Sequence, residues 1–377
     1  MNILAYVHLR NIHGSTGAGR VARQLTEHLA VRPRVRVRVL ADPADHQRIV
    51  PLVGEPWVSM PYHFIRHETS IQQAFWLLTG QSRAESYWPN VDVTFCSAES
   101  YVPTKRSALA VLMHDAAIFE RDALAWSLAR MKQSLKWKLL YRKVARNADV
   151  VITPSAFSAD RLAHFLPGLQ GRLKVVPNGV LERFFHPPSP EGDAILTRLG
   201  IDSQIFFLVP GGLHYRKNAD LILAAWPEVM RELPEARLVI AGHNTLPYQQ
   251  RAAALGSSVI LAGFVDDEQL CSLYRKACAV WFPTRYEGFG IPAVEAMASG
   301  APLVTTCVAS LPDICGSAAI LLSPDDPSAH VEALLDLARN PGRGQQFALA
   351  GRQRAGTFTW ARSAAILQQV LEGATCR

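Results

Sequence analysis

The chain has 377 residues, room for two domains at ~100–200 residues each. With 49% hydrophobic and 19% charged residues and no apolar run near the ~18 residues of a membrane span, the composition excludes a disordered chain, a collagen, a coiled coil and an integral helical membrane protein. The net charge is +7, and the surplus lies in the first half: residues 1–188 carry 24 Lys+Arg against 14 Asp+Glu, residues 189–377 carry 15 against 18. That asymmetry calls for an anionic partner of the first half: a membrane surface, a phosphate-bearing ligand or nucleic acid.

In chain order, Asn2–Leu9 reads as an apolar first strand, with neither the basic start nor the small-residue cleavage site of a signal peptide. A glycine-rich loop follows, Gly14-Ser15-Thr16-Gly17-Ala18-Gly19, and then a helix over 20–30. Residues 35–40 alternate Val with Arg, as a strand with one exposed face does. Short strands are expected at 91–96 and 108–113, the latter ending at His114-Asp115, then a long helix over 124–147. Residues 150–153 form a strand before Pro154-Ser155, a helix start, and 174–176 a strand before the turn Pro177-Asn178-Gly179. Phe184–Pro190 holds three prolines in seven residues and reads as an extended linker. Beyond it the rhythm restarts, with strands at 205–209, 237–241, 259–261, 279–282 and 303–305 and helices at 219–231, 268–277, 292–299, 330–339 and 361–372. Strands alternating with helices on both sides of a linker imply two α/β domains with parallel sheets, whose ligands bind beyond the carboxyl ends of the strands.

The six cysteines (Cys96, Cys271, Cys278, Cys307, Cys315 and Cys376) form no CxxC pair. They read as buried reduced thiols of a cytosolic protein, with no zinc spacing.

The strongest chemical signal is TRYEGFGIPAVEAMASG at 284–300. A strand ends at Phe282, Gly288 and Gly290 let backbone N–H groups approach a ligand, and Pro292 suits a first helical turn whose amino end favours an anion. Taken alone, the spacing of Glu287 and Glu295 favours an ordinary strand–loop–helix with solvated glutamates. The second signal is Gly211-Gly212-Leu213-His214-Tyr215-Arg216-Lys217-Asn218, where a cationic pair beside a glycine turn suits a diphosphate and equally reads as a solvated pair capping the turn. The third is the N-terminal glycine loop, which is not GxGxxG and reads equally as a tight turn before a helix. The fourth is His114-Asp115, at the end of a strand.

The run from Glu287 to Gly300 resembles the hallmark E-G-F-G-[IL]-[PT]-x-x-E-A-[ML]-A-x-G of retaining glycosyltransferases of family 4, nearly residue for residue. The resemblance implies an α/β fold of the GT-B type. It would comprise an acceptor-binding Rossmann-like domain at 1–183, a nucleotide-sugar-binding one at 184–358 facing it across a cleft, and a C-terminal helix over 359–377, after Trp360, packing back on the first. It implies that Glu295 binds the nucleotide ribose, that Glu287 contacts the donor sugar, and that Gly288, Phe289, Gly290 and Ile291 hold the donor through their backbone. Lys217 matches the family lysine; the family arginine position is occupied by Gly212 or its neighbour, and Arg216 takes the arginine's role. Gly17 and Gly19, with Arg20, would close over the diphosphate, Val265 would meet the base, and His114 would contact the sugar with Asp115 orienting it or the acceptor.

By the same resemblance the enzyme is a retaining hexosyltransferase, best read as moving mannose from GDP-mannose to a glycan or lipid-linked oligosaccharide in polysaccharide or exopolysaccharide assembly. A UDP-sugar donor and a non-catalytic sugar-nucleotide-binding protein are the alternatives. No Asp-x-Asp occurs, so no metal is expected, and no cofactor beyond the nucleotide sugar. Residues 126–146 interleave seven Lys/Arg with Trp126, Leu128, Leu135, Trp137, Leu139 and Leu140. Two readings stand: a packed surface helix with a solvated charged face, or peripheral contact with an anionic membrane. Nucleic acid is not expected, for want of a stacking platform. The place implied is the cytoplasm, peripheral on the inner face of the plasma membrane.

Overall fold

The computed structural model describes residues 1–13, 16–120, 123 and 128–375. The chain divides into two compact units. One is built from Met1–Phe119, from the stretch through Gly179 and from Trp360 onward; the other is Val180–Thr359, with which Glu120 and Ala123 also group.

The first unit runs β1 (Asn2–Tyr6), α1 (Leu9–His13), α2 (Gly17–Ala30), β2 (Arg36–Ala41), α3 (Pro43–Val53), β3 (Tyr62–Phe64), α4 (Thr69–Thr79), α5 (Ala84–Tyr87), β4 (Val93–Cys96), β5 (Ala108–Leu112), α6 (Leu128–Asn147), β6 (Val150–Thr153), α7 (Ala156–Phe165) and β7 (Leu173–Val175). The strands form one sheet in the order β3-β2-β1-β4-β5-β6-β7, and every pairing is parallel. Both faces are covered by helices, so the central strands β4 and β5 are buried throughout, and apolar but for Thr94. Leu4, Tyr6, Leu109, Val111 and Val151 on one face meet Trp76 of α4 and Leu140 and Val144 of α6.

The second unit runs α8 (Pro190–Leu199), β8 (Phe206–Pro210), α9 (Ala219–Glu232), β9 (Arg237–Ala241), α10 (Leu246–Ala253), β10 (Val259–Gly263), α11 (Asp267–Lys276), β11 (Ala279–Phe282), α12 (Ile291–Ala298), β12 (Leu303–Thr306), α13 (Leu311–Cys315), β13 (Ile320–Leu322), α14 (Pro327–Arg339) and α15 (Pro341–Ala355). Its sheet has the order β10-β9-β8-β11-β12-β13, again parallel. Order reversal at β8, with β9 on one side and β11 on the other, is the switch point where such sheets place ligands. A last helix, α16 (Trp360–Thr375), belongs to the first unit and packs on α2; Ser363 Oγ donates to the Pro177 carbonyl at 2.6 Å and Arg32 Nε to Gln368 Oε1 at 2.8 Å.

Two local expectations are corrected. The helix read as starting at Arg20 begins at Gly17, because the Thr16 side chain caps it by accepting the Gly19 N–H. Phe184–Pro190 is not an extended linker. A 3₁₀ turn at Glu182–Phe185 buries Phe184 completely, and Ser189 then caps α8 with Pro190 in its first turn. The long helix expected over 124–147 is described from Leu128; residues 124–127, like Gly14 and Ser15, lie outside the described residues.

Candidate functional site

In the second unit the chain after β8 turns sharply through Gly211 and Gly212, both with positive φ. A Cβ on Gly212 would lie 1.9 Å from the His243 carbonyl oxygen, so only glycine fits where the ends of β8 and β9 close together. The turn leads into a 3₁₀ segment, Tyr215–Lys217, and buries Lys217. The segment is held to the loop after β11: the Arg285 N–H and Thr284 Oγ1 both donate to the Arg216 carbonyl, at 2.9 and 2.8 Å.

This brings the Lys217 ammonium to Glu287. Lys217 Nζ donates to Glu287 Oε1 at 2.7 Å, with both side chains less than a tenth exposed. The ammonium also stands over the Phe282 ring, 4.2 Å from its centroid. Thr284 Oγ1 lies 3.2 Å from the same carboxylate oxygen, and Ser310 Oγ donates to the Glu287 carbonyl at 3.0 Å. Burial raises the Glu287 carboxyl, but the charges of Lys217 and Arg216 and the two hydrogen bonds outweigh it and hold the group below the usual carboxylate range. Burial draws the Lys217 ammonium down, partly offset by Glu287. Burial, Lys217 and Arg216 lower His214 to about 4, so its imidazole is neutral at physiological pH.

Glu295 lies one turn inside α12, buried, with the Tyr274 hydroxyl of α11 donating to its Oε2 at 3.3 Å. Gly290 takes a left-handed conformation at the amino end of that helix, where no side chain caps the backbone N–H groups. Phe289 is buried in the core, so its backbone alone is offered to a ligand. Val265 is buried beside Phe264, which is exposed. Among the described residues no three His, Cys, Asp or Glu side chains come together as metal ligands.

In the first unit, His114 and Asp115 follow β5. The His114 N–H donates to Glu99 Oε1 at 2.7 Å, Ser158 Oγ to the His114 carbonyl at 3.3 Å, and Asp115 Oδ1 accepts the Ala117 N–H at 2.8 Å. His114 Nε2 is buried with no hydrogen-bond partner. Gly17 and Gly19 lie in the first turn of α2, and a Cβ on Gly19 would meet the Asn11 carbonyl oxygen at 1.8 Å, so this glycine is fixed by the packing of α1 against α2.

Two family models match the chain: Glycosyltransferase Family 4 over residues 15–181 and Glycosyl transferases group 1 over 204–340. The chain is a family 4-like glycosyltransferase of the GT-B type. It is similar to the O-antigen chain mannosyltransferase B of Escherichia coli, 24% identical over 92% of this chain and 93% of that one. It is also similar to the MMP alpha-(1->4)-mannosyltransferase of Mycolicibacterium hassiacum, 31% identical over 63% of this chain and 57% of that one; the chain thus spans little more than half of that relative. Its fold is similar to sucrose-phosphate synthase from Thermosynechococcus elongatus, with a TM-score of 0.75 at 18% identity over 99% and 98% of the two chains.

Within this glycosyltransferase the second unit gathers Arg216, Lys217, Glu287 and, one helical turn away, Glu295 around the ends of β8 and β11. His114, Asp115, Gly17 and Gly19 belong to the first unit. The sequence did not single out Thr284, Tyr274 and Glu99. Thr284 lies three residues before the recognised run, and nothing in a linear pattern says that its hydroxyl turns back to Arg216 and Glu287. Tyr274 and Glu99 meet Glu295 and His114 only through the packing of separate elements.

Proposed function

We propose that this glycosyltransferase moves a hexose, mannose from GDP-mannose, to a glycan or lipid-linked oligosaccharide, with retention of configuration and with no metal or cofactor beyond the nucleotide sugar. The observation that carries this reading is the buried Lys217–Glu287 pair at the strand ends of the second unit. An ammonium has three donors, and Glu287 takes one, so Lys217 keeps donors for a diphosphate while Arg216 adds a second cation. Glu287, held ionised, is an acceptor for sugar hydroxyls and a counter-charge to an oxocarbenium-like centre; it is not a proton donor. Glu295, positioned by Tyr274, accepts from the ribose hydroxyls. The cations stabilise the negative charge that builds on the leaving diphosphate, and the leaving phosphate takes the acceptor proton on the same face. Work on a lipid-linked acceptor agrees with a chain held peripherally at the cytoplasmic face of a membrane through α6.

The test is a thermal-shift titration with GDP, UDP, ADP and their sugar conjugates, with and without EDTA. A ligand at a hundred times its Kd adds about 2.7 kcal/mol. Selective stabilisation by GDP and GDP-mannose, unchanged by EDTA, is expected. Selectivity for UDP would move the donor, loss with EDTA would overturn metal independence, and silence toward every nucleotide would overturn the reading.

A further inference from the structure

Single exposed apolar side chains are ordinary, but two helices that pack on the same core of the first unit, α4 and α6, expose large ones in series. On α4, Gln72 and Trp76 point into the core, while Ile71, Ala74 and Leu78, at helical spacing i, i+3, i+7, face outward. Ile71 is 57% exposed and Leu78 85%, and the helix carries no charge along its length. On α6, Leu140 and Val144 point inward, and Leu135 and Leu139 are 59% and 56% exposed. The α6 sequence holds seven Lys/Arg and no Asp or Glu, and Lys136, Arg142 and Arg146 are exposed.

The two helices cover the same face of the sheet, since Trp76, Leu140 and Val144 belong to one core with Leu109 and Val111. Tyr101 joins them. The Gln73 amide holds both the Tyr101 N–H and its carbonyl, at 3.1 and 3.3 Å, and the Lys143 ammonium stands 5.4 Å from the Tyr101 ring centroid. Arg66 and Arg83 are exposed on either side of α4, and Glu68, the acid at its amino end, is bridged to Arg10 at 3.5 Å.

We propose that this two-helix face seats on an anionic lipid bilayer, with α4 inserting Ile71 and Leu78 and α6 laying Leu135 and Leu139 into the interface while Lys136, Arg142 and Arg146 meet the headgroups. A bilayer interface satisfies both halves of the surface, apolar side chains below and cations at headgroup level. A nucleic-acid backbone would use the cations and leave four aliphatic side chains in water, and nothing charged on α4 offers a protein partner a directional contact. The proposal deepens the membrane contact read for α6 by assigning the apolar anchor to α4, and it does not depend on the transfer chemistry.

The experiment is co-sedimentation of the full chain with phosphatidylcholine vesicles, with and without phosphatidylglycerol. Wild type is expected to sediment with the anionic vesicles only. The double variant Ile71→Ser/Leu78→Ser is expected to lose about tenfold or more in partitioning, and Leu135→Ser/Leu139→Ser a similar factor, each with the fold retained by circular dichroism because every replaced side chain is more than half exposed. Lys136→Glu/Arg142→Glu should abolish the preference for phosphatidylglycerol. Wild type remaining in the supernatant overturns the proposal. So does vesicle binding that both serine variants retain in full, and so does tighter binding of a DNA duplex that the serine variants leave untouched. Vesicle binding by a protein that ignores every nucleotide would leave this proposal standing and remove the transferase reading instead.

Discussion

Lys217 and Glu287 are each other's condition for being buried. Removing one partner of such a pair leaves an uncompensated charge, which typically costs about 3–5 kcal/mol. Glu287→Gln keeps an acceptor for Lys217 and Thr284 but loses the charge, so a lowered melting temperature with the fold retained is expected by circular dichroism. A drop in kcat of about a hundredfold or more is expected alongside it, as for loss of a preorganised charge at a reacting centre. Full kcat in that variant would remove Glu287 from the chemistry. Tyr274→Phe deletes one hydrogen bond to Glu295 and keeps the ring that packs on Phe184. It should raise the nucleotide Kd by roughly fivefold to tenfold and leave kcat near wild type, a split that calorimetry and initial rates can read. His214 gives a pH signature. Its folded pKa, about 4, lies below the ordinary 6.5, so the unfolded chain takes up the proton first. Its contribution to stability is complete above pH 6.5 and is lost as pH falls toward 4. Buried His330, whose ring accepts from Trp281 Nε1 and is likewise lowered by burial, acts in the same direction. Urea midpoints should therefore fall between pH 7 and pH 5, and less steeply in His214→Gln. Of these residues Glu287, Glu295, Arg216 and Lys217 were legible in the sequence, because they sit in two short runs with a recognisable order. Tyr274 was not, because the contact that gives it a role crosses from α11 to α12.

Among the elements, most strands of both sheets were legible because a parallel strand buried on both faces must be an apolar run; β13, the partly buried edge strand of the second sheet, was not expected. The edge strand β3 was not: its three residues are only partly buried, and Tyr62 and Phe64 stack on the sheet edge instead of marking a core. The helix α8 was hidden by its prolines. Three in seven residues read as a linker, yet Pro190 occupies a first helical turn where no N–H is needed, and Phe184 is a core residue. The close approach of β8 to β9 tests this level directly. Gly212→Ala places a methyl against the His243 carbonyl in a left-handed backbone, and a loss of about 2–4 kcal/mol in unfolding free energy is expected from denaturant titration. Wild-type stability in that variant would mean that the two strand ends part easily and that the turn does not fix Lys217.

At the scale of the molecule, the cations are concentrated in the first half, while Arg216, Lys217, Glu287 and Glu295 lie in the second unit. The fold class was readable from the strand–helix alternation and from one fourteen-residue run. The donor was read by resemblance alone, since base and sugar are chosen by side chains whose positions no spacing records. Among the described residues no helix is long and apolar enough to cross a membrane. Everything proposed for the second unit depends on its buried cation–carboxylate site binding a nucleotide sugar. The measurement that reaches it most directly is calorimetric titration of GDP and UDP into wild type, Lys217→Met and Glu295→Gln. Binding of one nucleotide by wild type, weakened about tenfold or more in both variants, is the result expected. No binding by wild type, or equal binding by all three proteins, would mean that this site does not bind the nucleotide.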